Sequence, residues 1–387
     1  MEKKRISEYS EQIRGVSYKP EDIHDDLNDN SITLLRANNI ADGNINFDNV
    51  VYVDKSKVSK KQLLKKGDVL ICASSGSKHL VGKAAQIDFE GEYTFGAFCK
   101  VVRPININNI YMGMYFQSSE YRRTISSVSQ GANINNIKNE DIDNLLIKVP
   151  NEAVQKNVSE VLIKVSQIIM YRKQQLEEFN NLIKSRFAEM FGDYFRTEIN
   201  CKQLKDICDF IDYRGKTPEK SKSGIPLITA KNVKSNAFNI EPKEFIPIAN
   251  YDEHMTRGFP QVNDVLFTTE APLGNVCRIP NIYDKFCVGQ RLITIQPHRE
   301  ILNSEYVEMA LLSKEFQDKM WRRSSGSTVK GIRSKELVLL TIPVPPIDLQ
   351  THFADFIQQV DKLKVDVKKS LDETQVLFDS LIKKYFG

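Results

Sequence analysis

The sequence predicts an α+β protein made of two strand-rich units, each followed by a long amphipathic helix. Its 387 residues are more than one ordinary hydrophobic core requires and suit two domains with connectors. One segment with helical spacing of its apolar residues ends in Phe191-Gly192, and a second ends in Phe386-Gly387, at an offset of 386 − 191 = 195 residues. The chain is therefore predicted to contain two copies of one unit, related as a pseudo-two-fold internal repeat.

The first long helix is predicted over residues 151–192. Asn151 can cap its start, and Gly192 stands where a left-handed residue would end it. The apolar residues step by threes and fours, as in a coiled-coil seam that only Arg172 and Arg186 interrupt. The seam residues are Val158, Val161, Val165, Ile168, Leu176, Phe179, Ile183 and Met190. Such a seam needs a partner, which the second copy supplies through residues such as Phe353, Val360 and Leu363, so we expect an antiparallel coiled coil.

The offset of 195 also relates the residues that enter each helix, since it carries Pro150 onto Pro345 and Gln155 onto Gln350. With small changes of offset, the elements predicted within the two units correspond as well. The matched strands lie near residues 32–40 and 226–233, 66–71 and 263–267, and 95–102 and 287–295, and the matched helices lie over 108–127 and 303–323. The predicted domains are a first strand-rich unit over 1–148, a central helix over 149–192, a second strand-rich unit over 193–345 and a C-terminal helix over 346–387.

Each of the predicted short helices runs into a basic loop that is rich in hydroxyl and amide side chains. Guanidinium groups bind phosphate or guanine in a bidentate manner and amides pair with adenine, so these loops suit contact with DNA. A solvated surface loop is the alternative, but recurrence beside the same helix in both units favours a ligand contact. The residues assigned to this contact are Arg122, Arg123, Gln130, Asn133, Arg322, Arg323, Ser327, Thr328 and Lys330. Further candidates at the strand exits and turns are Arg36, Asn38, Lys78, Arg214, Lys216 and Lys231.

Composition and motifs exclude several other classes of protein. A formal charge of +4 says little about the partner. The 6 cysteines form no C-x-x-C pair, which argues against a metal site and a disulfide framework. No apolar run approaches a membrane span, which favours a cytoplasmic protein. Residues 76–84 resemble a phosphate-binding loop, but they have one residue too many between the glycines and Ala84 where Ser or Thr is required. We therefore expect neither an active site nor a cofactor.

Several short motifs occur in the same order in the two units. In the second unit they are Tyr213-Arg214-Gly215-Lys216-Thr217-Pro218, Ile225-Pro226-Leu227-Ile228, Gly326-Ser327-Thr328 and Ile342-Pro343-Val344-Pro345-Pro346 leading to Gln350. The first unit echoes them with Arg14-Gly15-Val16-Ser17-Tyr18-Lys19, Gly131-Ala132-Asn133 and Val149-Pro150 leading to Gln155. It departs from them where Ala132-Asn133 replace Ser-Thr and where Pro150 lacks a following proline. Over essentially its whole length, the chain resembles the DNA-specificity subunit of type I restriction-modification systems.

The resemblance implies a non-catalytic subunit whose two target-recognition domains each read half of a split, asymmetric DNA site. It also implies that the long helices serve as a spacer and as the dock for two adenine-methyltransferase subunits, with motor-nuclease subunits joining for restriction. A helix of about 40 residues is roughly 60 Å long, which can hold two readers about one duplex turn, roughly 34 Å, apart. Two alternatives from other classes are a coiled-coil scaffold with two protein-binding domains and an enzyme with an unfamiliar hydrolytic site.

Overall fold

The protein is described by a computed structural model that covers residues 3–41, 43–77, 80–129, 136–326 and 329–387. The chain forms two compact units. Unit 1 comprises Met1–Gln174 and Lys368–Gly387, and unit 2 comprises Gln175–Val367. Each unit contains strands and a section of both long helices, so the α+β prediction is confirmed. Among the described residues, no helix is long and apolar enough to cross a membrane.

The elements of the first half of the chain begin with strands and end with the first long helix. In order they are β1 (Lys3–Arg5), β2 (Ser10–Arg14), β3 (Ile23–His24), β4 (Ser31–Leu35), β5 (Ile40–Ala41), β6 (Asn44–Ile45), β7 (Val51–Asp54), β8 (Val69–Cys72), β9 (Ala84–Gln86), β10 (Tyr93–Phe95), β11 (Cys99–Pro104), α1 (Asn109–Tyr115), α2 (Ser119–Ser129), α3 (Asn139–Asp143), β12 (Leu146–Lys148) and α4 (Glu152–Thr197).

The second half of the chain follows a similar order, although none of its described strands corresponds to β3. Its elements are β13 (Cys201–Gln203), α5 (Leu204–Ile207), β14 (Cys208–Asp212), β15 (Ile225–Ile228), β16 (Val233–Lys234), β17 (Ala237–Phe238), β18 (Phe245–Ile246), α6 (Tyr251–His254), β19 (Val265–Thr268), β20 (Val276–Arg278), β21 (Cys287–Val288), β22 (Leu292–Pro297), α7 (Ser304–Leu312), α8 (Lys314–Arg323), α9 (Ser334–Leu337), β23 (Thr341–Pro343) and α10 (Ile347–Phe386).

The sheets of the two units share one topology. In unit 1 a sheet of order β2-β11-β8-β9 corresponds to β14-β22-β19-β20 in unit 2. A second sheet contains β4 between β10 and β7, and in unit 2 β15 lies in the same way between β21 and β18. The central strands β8 and β19 are short apolar runs whose residues are all buried, as expected for strands covered on both faces. The predicted internal repeat is therefore confirmed in the pairing of its strands.

Each strand predicted near residues 95–102 and 287–295 is in fact two strands that belong to different sheets. β10 pairs in parallel with β4, whereas β11 pairs with β2 and β8. β21 pairs in parallel with β15, whereas β22 pairs with β14 and β19. In each unit a short crossing segment connects the two strands and so joins the two sheets. The crossing segments are Gly96-Ala97-Phe98 in unit 1 and Gly289-Gln290-Arg291 in unit 2. An apolar pattern alone does not reveal such a crossing, because both strands are buried.

The helix predicted after these strands is a pair of helices in each unit, so the single-helix prediction is wrong. In unit 1 the Ser118 hydroxyl accepts a hydrogen bond from the Tyr121 amide over 3.1 Å. In unit 2 the Ser313 hydroxyl accepts one from the Phe316 amide over 3.2 Å. These serines cap the second helix of each pair, because a side-chain oxygen satisfies an amide that has no partner within the helix.

A buried glutamine ties the start of each long helix to the short helices of the same unit. The Asn108 amide donates to Gln155 Oε1 over 2.9 Å, and the Asn303 amide donates to Gln350 Oε1 over 2.9 Å. Each glutamine also donates to the carbonyl five residues before it, over 2.7 and 2.8 Å. Because a buried amide needs partners for both its donor and its acceptor, this contact accounts for the recurrence of glutamine at the offset of 195.

The first long helix continues beyond Gly192, so the predicted stop is wrong. Phe191 and Phe195 lie one turn apart on α4, and only 0% and 9% of their surfaces are exposed. Their burial extends the apolar stripe past the glycine, and it outweighs the cost of about 1 kcal/mol that glycine imposes inside a helix. Left-handed residues do follow the helix, but they are Glu198 and Asn200, with φ of 50° and 53°.

The buried stripe on the long helices differs in part from the predicted seam. Val161, Ile168 and Leu363 are 40%, 45% and 51% exposed, so their assignment to the seam is wrong. The stripe passes instead through Leu162 and Ile169, which are buried. The reason is that α4 packs against the short helices and strands of its unit as well as against α10. A stripe shared in this way follows the period of a straight helix rather than that of a strict heptad.

The two long helices run antiparallel. In unit 2 the rings of Phe191 and Phe353 have centroids 5.4 Å apart, and the Arg186 guanidinium lies 5.9 Å from the centre of the Phe356 ring. A residue earlier in α4 thus meets a residue later in α10. In unit 1 the N-terminal part of α4 shares a hydrophobic core with Phe378 and Phe386 of α10. The predicted antiparallel coiled coil is confirmed, and Arg186 stacks on an aromatic ring of its partner helix.

Candidate nucleic-acid interface

Four loops of unit 2 meet around a cavity of about 410 Å³. They follow β14, β19, β21 and α8, so they come from parts of the sequence that are far apart. The lining residues are Arg214, Gly215, Thr269, Glu270, Gln290, Arg291, Ser325, Val329, Gly331, Ile332 and Arg333. The lining is therefore mostly polar and contains three arginines, which suits a ligand that presents phosphates and hydrogen-bonding base edges.

The loop after α8 is held against the end of β19 by backbone hydrogen bonds. Glu270 and Gly331 form an isolated antiparallel bridge. The Ile332 amide donates to the Thr269 carbonyl over 3.0 Å, and Ile332 itself is buried. Within the loop, the Ser325 amide donates to the Gly331 carbonyl over 2.9 Å. The loop predicted to contact DNA is thereby fixed beside the exit of a central strand, a segment to which the sequence prediction gave no role.

Unit 1 has the same arrangement. Ser74 and Asn136 form an isolated antiparallel bridge, and the Ile137 amide donates to the Ala73 carbonyl over 2.8 Å. Ser74 corresponds to Glu270, because the offset is 270 − 74 = 196 and both residues follow equivalent central strands. In each unit the segment after the short helices is therefore fixed beside the exit of the central strand.

The arginine side chains around the cavity of unit 2 differ in how strongly they are paired with carboxylates of the protein. Arg214 donates from Nε and Nη2 to the two carboxylate oxygens of Asp212 over 2.9 and 2.7 Å. Burial alone would raise the pKa of Asp212, but the hydrogen bonds and charge of Arg214 outweigh burial and hold that pKa below its usual value. Arg291 Nε lies 3.2 Å from Glu270 Oε1, and both side chains are about half exposed, at 55% and 46%. Arg333 is exposed. Arg214 thus braces its own loop, whereas the outer cations can reach a ligand.

The structure places the four predicted arginines in helices, so the prediction that they lie in loops is wrong. Arg322 and Arg323 occupy the last turn of α8 and are exposed. Arg323 Nη1 lies 3.7 Å from a carboxylate oxygen of Glu336. They immediately precede the loop that lines the cavity, so their position remains compatible with a contact to the same ligand.

The arginine pair of unit 1 is not equivalent to the pair of unit 2. Arg122 lies within α2, and its Nη1 donates to the Val81 carbonyl over 3.4 Å. The matching contact in unit 2 is made by Gln317, whose Nε2 donates to the Gly274 carbonyl over 3.0 Å. Arg123 pairs with a neighbouring glutamate of its own helix over 2.6 Å. Both units therefore contain an Arg-Arg pair, but the two pairs do not occupy equivalent positions.

The other predicted residues are spread over both units. Arg36 is half-buried and donates from Nη2 to the Asn49 carbonyl over 2.8 Å, while Asn38 beside it is exposed. Lys216 Nζ donates to the Glu253 carbonyl over 2.6 Å, so it braces a turn. Lys231 and Lys330 are exposed, and Lys231 Nζ lies 3.2 Å from Glu244 Oε1. Lys330 lies on the loop that follows α8. Lys78, Gln130, Asn133, Ser327 and Thr328 lie outside the described residues.

Sequence reasoning missed Glu270 as a site residue, and it also missed Gln290, Arg291 and Arg333. A signal for two of them was present in the crossing segments. Gly96 and Gly289 are related by 289 − 96 = 193, the offset that also relates Asn39 to Asn232. The residues after these glycines are chemically unlike, so a search for shared motifs passes over them.

Other site types are not indicated in the described part of the chain. Among those residues, no group of His, Cys, Asp and Glu is arranged to hold a metal ion. The cysteines are free thiols, and most are buried. Burial raises the pKa of Cys72 to about 11, so this thiol is protonated at neutral pH.

Comparisons with known proteins relate both halves of the chain to one family. A family model described as the type I restriction modification DNA specificity domain matches residues 1–181 and 197–374. The EcoKI type I restriction enzyme specificity subunit of Escherichia coli (strain K12) is 28% identical over 409 aligned residues, which cover 98% of this chain and 87% of that protein. The StySPI specificity subunit of Salmonella potsdam is 39% identical over 185 residues, covering 48% of this chain and 40% of that protein.

A solved structure has the same fold. The crystal structure of the type I restriction-modification S subunit from M. genitalium matches with a TM-score of 0.54. The match covers 100% of this chain and 96% of that one, at 16% sequence identity. This likeness concerns the arrangement of strands and helices, and it agrees with the duplicated architecture described above.

Proposed function

Because this chain belongs to the type I restriction-modification DNA specificity family, we propose that each of its two units reads one half of an asymmetric, bipartite duplex DNA site. The observation that carries this proposal is that loops from distant parts of the sequence are bridged in the same way in both units. In this proposal residues 1–148 and 193–345 are the target-recognition domains. Residues 149–192 and 346–387 form the spacer, although the helices themselves have the bounds given above.

The charge distribution around the cavity of unit 2 supports DNA as the ligand. Arg322, Lys330 and Arg333 are exposed on or beside the loop that follows α8, and Arg291 lies on the opposite crossing segment. Exposed cations on fixed backbone can neutralise phosphates and set the register of a duplex. Polar groups within the cavity can then reach base edges in the major groove. In this scheme the affinity comes mainly from phosphates and the sequence preference from the cavity.

We assign the long helices to assembly with two adenine-methyltransferase subunits, to which motor-nuclease subunits are added for restriction. The chain itself then supplies specificity and no catalytic group. Apolar side chains that neither unit covers support this assignment, since Val161 and Ile168 on α4 and Val365 and Val376 on α10 are 40–69% exposed. Exposed apolar side chains that recur along a helix are typical of a surface that another protein covers.

Replacing Arg322 and Arg323 by Ala, singly and together, is expected to weaken binding to duplex DNA at physiological salt. Each phosphate contact that is removed should reduce the slope of log affinity against log salt by about 1. The measurement is a titration of labelled duplex with the assembled complex at several salt concentrations. Co-elution with the methyltransferase subunits should be unchanged, because both residues belong to α8 and are exposed, whereas the docking surface is assigned to the long helices.

Lys314→Ala is the matched control, since Lys314 begins the same helix and its side chain is 87% exposed. That variant should leave both the affinity and the salt slope close to those of the wild type. Unchanged binding by the double Arg variant would contradict the assignment of these two arginines.

Deleting the gene is expected to abolish adenine methylation at one split DNA motif. Two unlike recognition units imply two unlike half-sites, separated by bases that no residue reads. Genome-wide mapping of methylated adenines with and without the gene measures this directly, and complementation with the wild-type gene is the control. An uninterrupted motif, or an unchanged methylation pattern in a strain that carries the methyltransferase, would contradict the bipartite proposal.

A further inference from the structure

We propose that Phe98 in unit 1 and the Glu270–Arg291 pair in unit 2 are equivalent base-reading positions, which select an A·T pair in one half-site and a G·C pair in the other. This inference rests on the proposed function and adds to it the residues that make the two half-sites different. It follows from the register of the strands, the backbone bonds of the crossing segments, and the chemistry of the exposed side chains.

The equivalence of the two positions is fixed by strand register. The Gly96 amide donates to the Leu35 carbonyl over 3.0 Å, and the Gly289 amide donates to the Ile228 carbonyl over 2.7 Å. Both members of this contact are shifted by 193 between the units, since 289 − 96 and 228 − 35 are equal. Two residues beyond each glycine stand Phe98 and Arg291.

The backbone at both positions is attached to the exit of the central strand. The Phe98 carbonyl accepts from the amides of Ala73 and Ser74 over 2.9 and 3.0 Å. The Arg291 carbonyl accepts from the Thr269 amide over 3.2 Å. These strand exits are also the segments bridged to the loops after the short helices. Backbone hydrogen bonds therefore fix each position where the loops meet. A residue that distinguishes one base pair from another needs a fixed backbone of this kind.

In unit 2 the exposed pair matches the major-groove edge of a G·C base pair. Guanine presents its N7 and O6 acceptors there, which Arg291 can contact with two N–H donors, and cytosine presents its N4 donor, which a Glu270 oxygen can accept. The two side chains lie 3.2 Å apart and are about half exposed. An ion pair this exposed contributes little to stability, so separating it to bind a base pair costs little.

In unit 1 the same place carries no charge. Phe98 is 71% exposed, and Ser74 stands where unit 2 has Glu270. An aromatic side chain cannot replace the hydrogen bonds of guanine or cytosine, but it can contact the 5-methyl group of thymine in the major groove. Single exposed apolar residues are common on proteins. What distinguishes Phe98 is that its backbone is fixed at the position that carries the charged pair in the other unit.

The test uses the full chain assembled with its methyltransferase subunits and a library of randomised DNA duplexes. Bound duplexes are recovered and sequenced for the wild type, for Arg291→Ala and for Phe98→Ala. We expect Arg291→Ala to reduce the preference for G·C at one position of one half-site by roughly 10- to 100-fold. Phe98→Ala should relax one A·T position of the other half-site. Each variant should leave the half-site of the other unit unchanged.

Two further variants separate base reading from the effect of charge and from the effect of losing an exposed apolar side chain. Arg291→Lys keeps the charge but cannot make the bidentate contact, so it should retain the salt slope and still lose the G·C preference. Leu27→Ala removes another strongly exposed apolar side chain of unit 1, 61% exposed, and should change no base preference. Thermal unfolding of each variant checks that the fold is retained, as expected for exposed positions.

Variants that keep every base preference of the wild type would overturn this assignment. A loss of affinity that is equal for all sequences would also overturn it, because it would identify phosphate contacts instead. If the wild-type complex binds duplex DNA but enriches no split motif, the proposed bipartite function fails, and this assignment fails with it. Enrichment of a split motif that the variants leave unchanged removes the present assignment alone.

Discussion

Replacing Arg278 by Met is expected to lower the free energy of unfolding of unit 2 by about 3–5 kcal/mol. Arg278 lies at the end of β20, and its side chain is only 19% exposed. Its Nε donates to Glu308 over 2.8 Å and its Nη1 donates to Glu305 over 2.7 Å, while its Nη2 lies 3.5 Å from Asp361 on α10. Without the guanidinium, Glu308 remains as a buried carboxylate with no cation beside it.

The loss of unfolding free energy caused by Arg278→Met, called the deficit below, should also depend on pH. Burial raises the pKa of Glu308, and the charge and hydrogen bonds of Arg278 oppose that rise. Removal of Arg278 therefore raises this pKa further. A carboxyl group with a raised pKa stabilises the fold at low pH and loses that contribution as the pH rises through the folded-state value. The Arg278→Met deficit should thus be largest at neutral pH and smaller near 4.5, the ordinary value for glutamate.

The measurement is denaturant unfolding at several pH values, with hydrogen exchange used to assign the loss to unit 2, because two units need not unfold together. The double variant Arg278→Met with Glu308→Gln should recover part of the stability, since the most deeply buried of the partner carboxylates, Glu308, then carries no charge, while Glu305 keeps its own. The corresponding positions of unit 1 hold Gln86 and Gly113 and therefore carry no charge. An equal loss in the single and double variants would show that the ion pair is not the cause.

The equivalent substitutions Phe191→Ala and Phe386→Ala are expected to destabilise different units, each by about 3–5 kcal/mol. In unit 2 the ring centroid of Phe191 lies 4.9 Å from that of Tyr306 and 5.4 Å from that of Phe353. In unit 1 the centroid of Phe386 lies 4.9 Å from that of Tyr111. Both phenylalanines are at most 1% exposed. Each truncation leaves a cavity in the core between a long helix and the short helices.

Hydrogen exchange resolved by peptide distinguishes the two outcomes, because protection should fall in unit 2 for Phe191→Ala and in unit 1 for Phe386→Ala. Leu377→Ala is the control on a long helix. Its side chain is 50% exposed, so the change in unfolding free energy should stay within about 0.5 kcal/mol. A loss of protection spread equally over both units by either Phe variant would argue against separate cores.

The repeat and the long helices could be predicted because they depend on residues that recur. Gln155 and Gln350 recur because each is buried and links its long helix to the short helices by hydrogen bonds. The prediction that Asn151 caps the first long helix is confirmed, because its Oδ1 accepts a hydrogen bond from the Val154 amide over 2.9 Å. The end of the first helix could not be predicted in this way. Glycine has a low helix propensity, so Gly192 favours the end of a helix. The helix continues because Phe195, one turn beyond the glycine, is buried by tertiary contacts.

The candidate interface was predicted less completely, because its residues do not recur. The loops were identified by their composition, but Arg122 and Arg322 resemble each other without occupying equivalent places. Conversely, Phe98 and Arg291 occupy equivalent places without resembling each other. Equivalence in space follows from strand register, which depends on pairings between distant segments. Residues that distinguish two recognition units are expected to differ, so a search for shared motifs is least sensitive to them.

The packing of residues 368–387 against unit 1 has a consequence for the order in which the chain can fold during synthesis. Unit 2 consists of Gln175–Val367, so all of its residues leave the ribosome before Phe378, Ile382 and Phe386, which complete the core of unit 1. Domains commonly fold in the order of their synthesis. Unit 1 therefore cannot complete its hydrophobic core until after unit 2 has been fully translated, because residues 368–387 of α10 are still missing. Its exposed apolar surface therefore persists longest in the nascent chain.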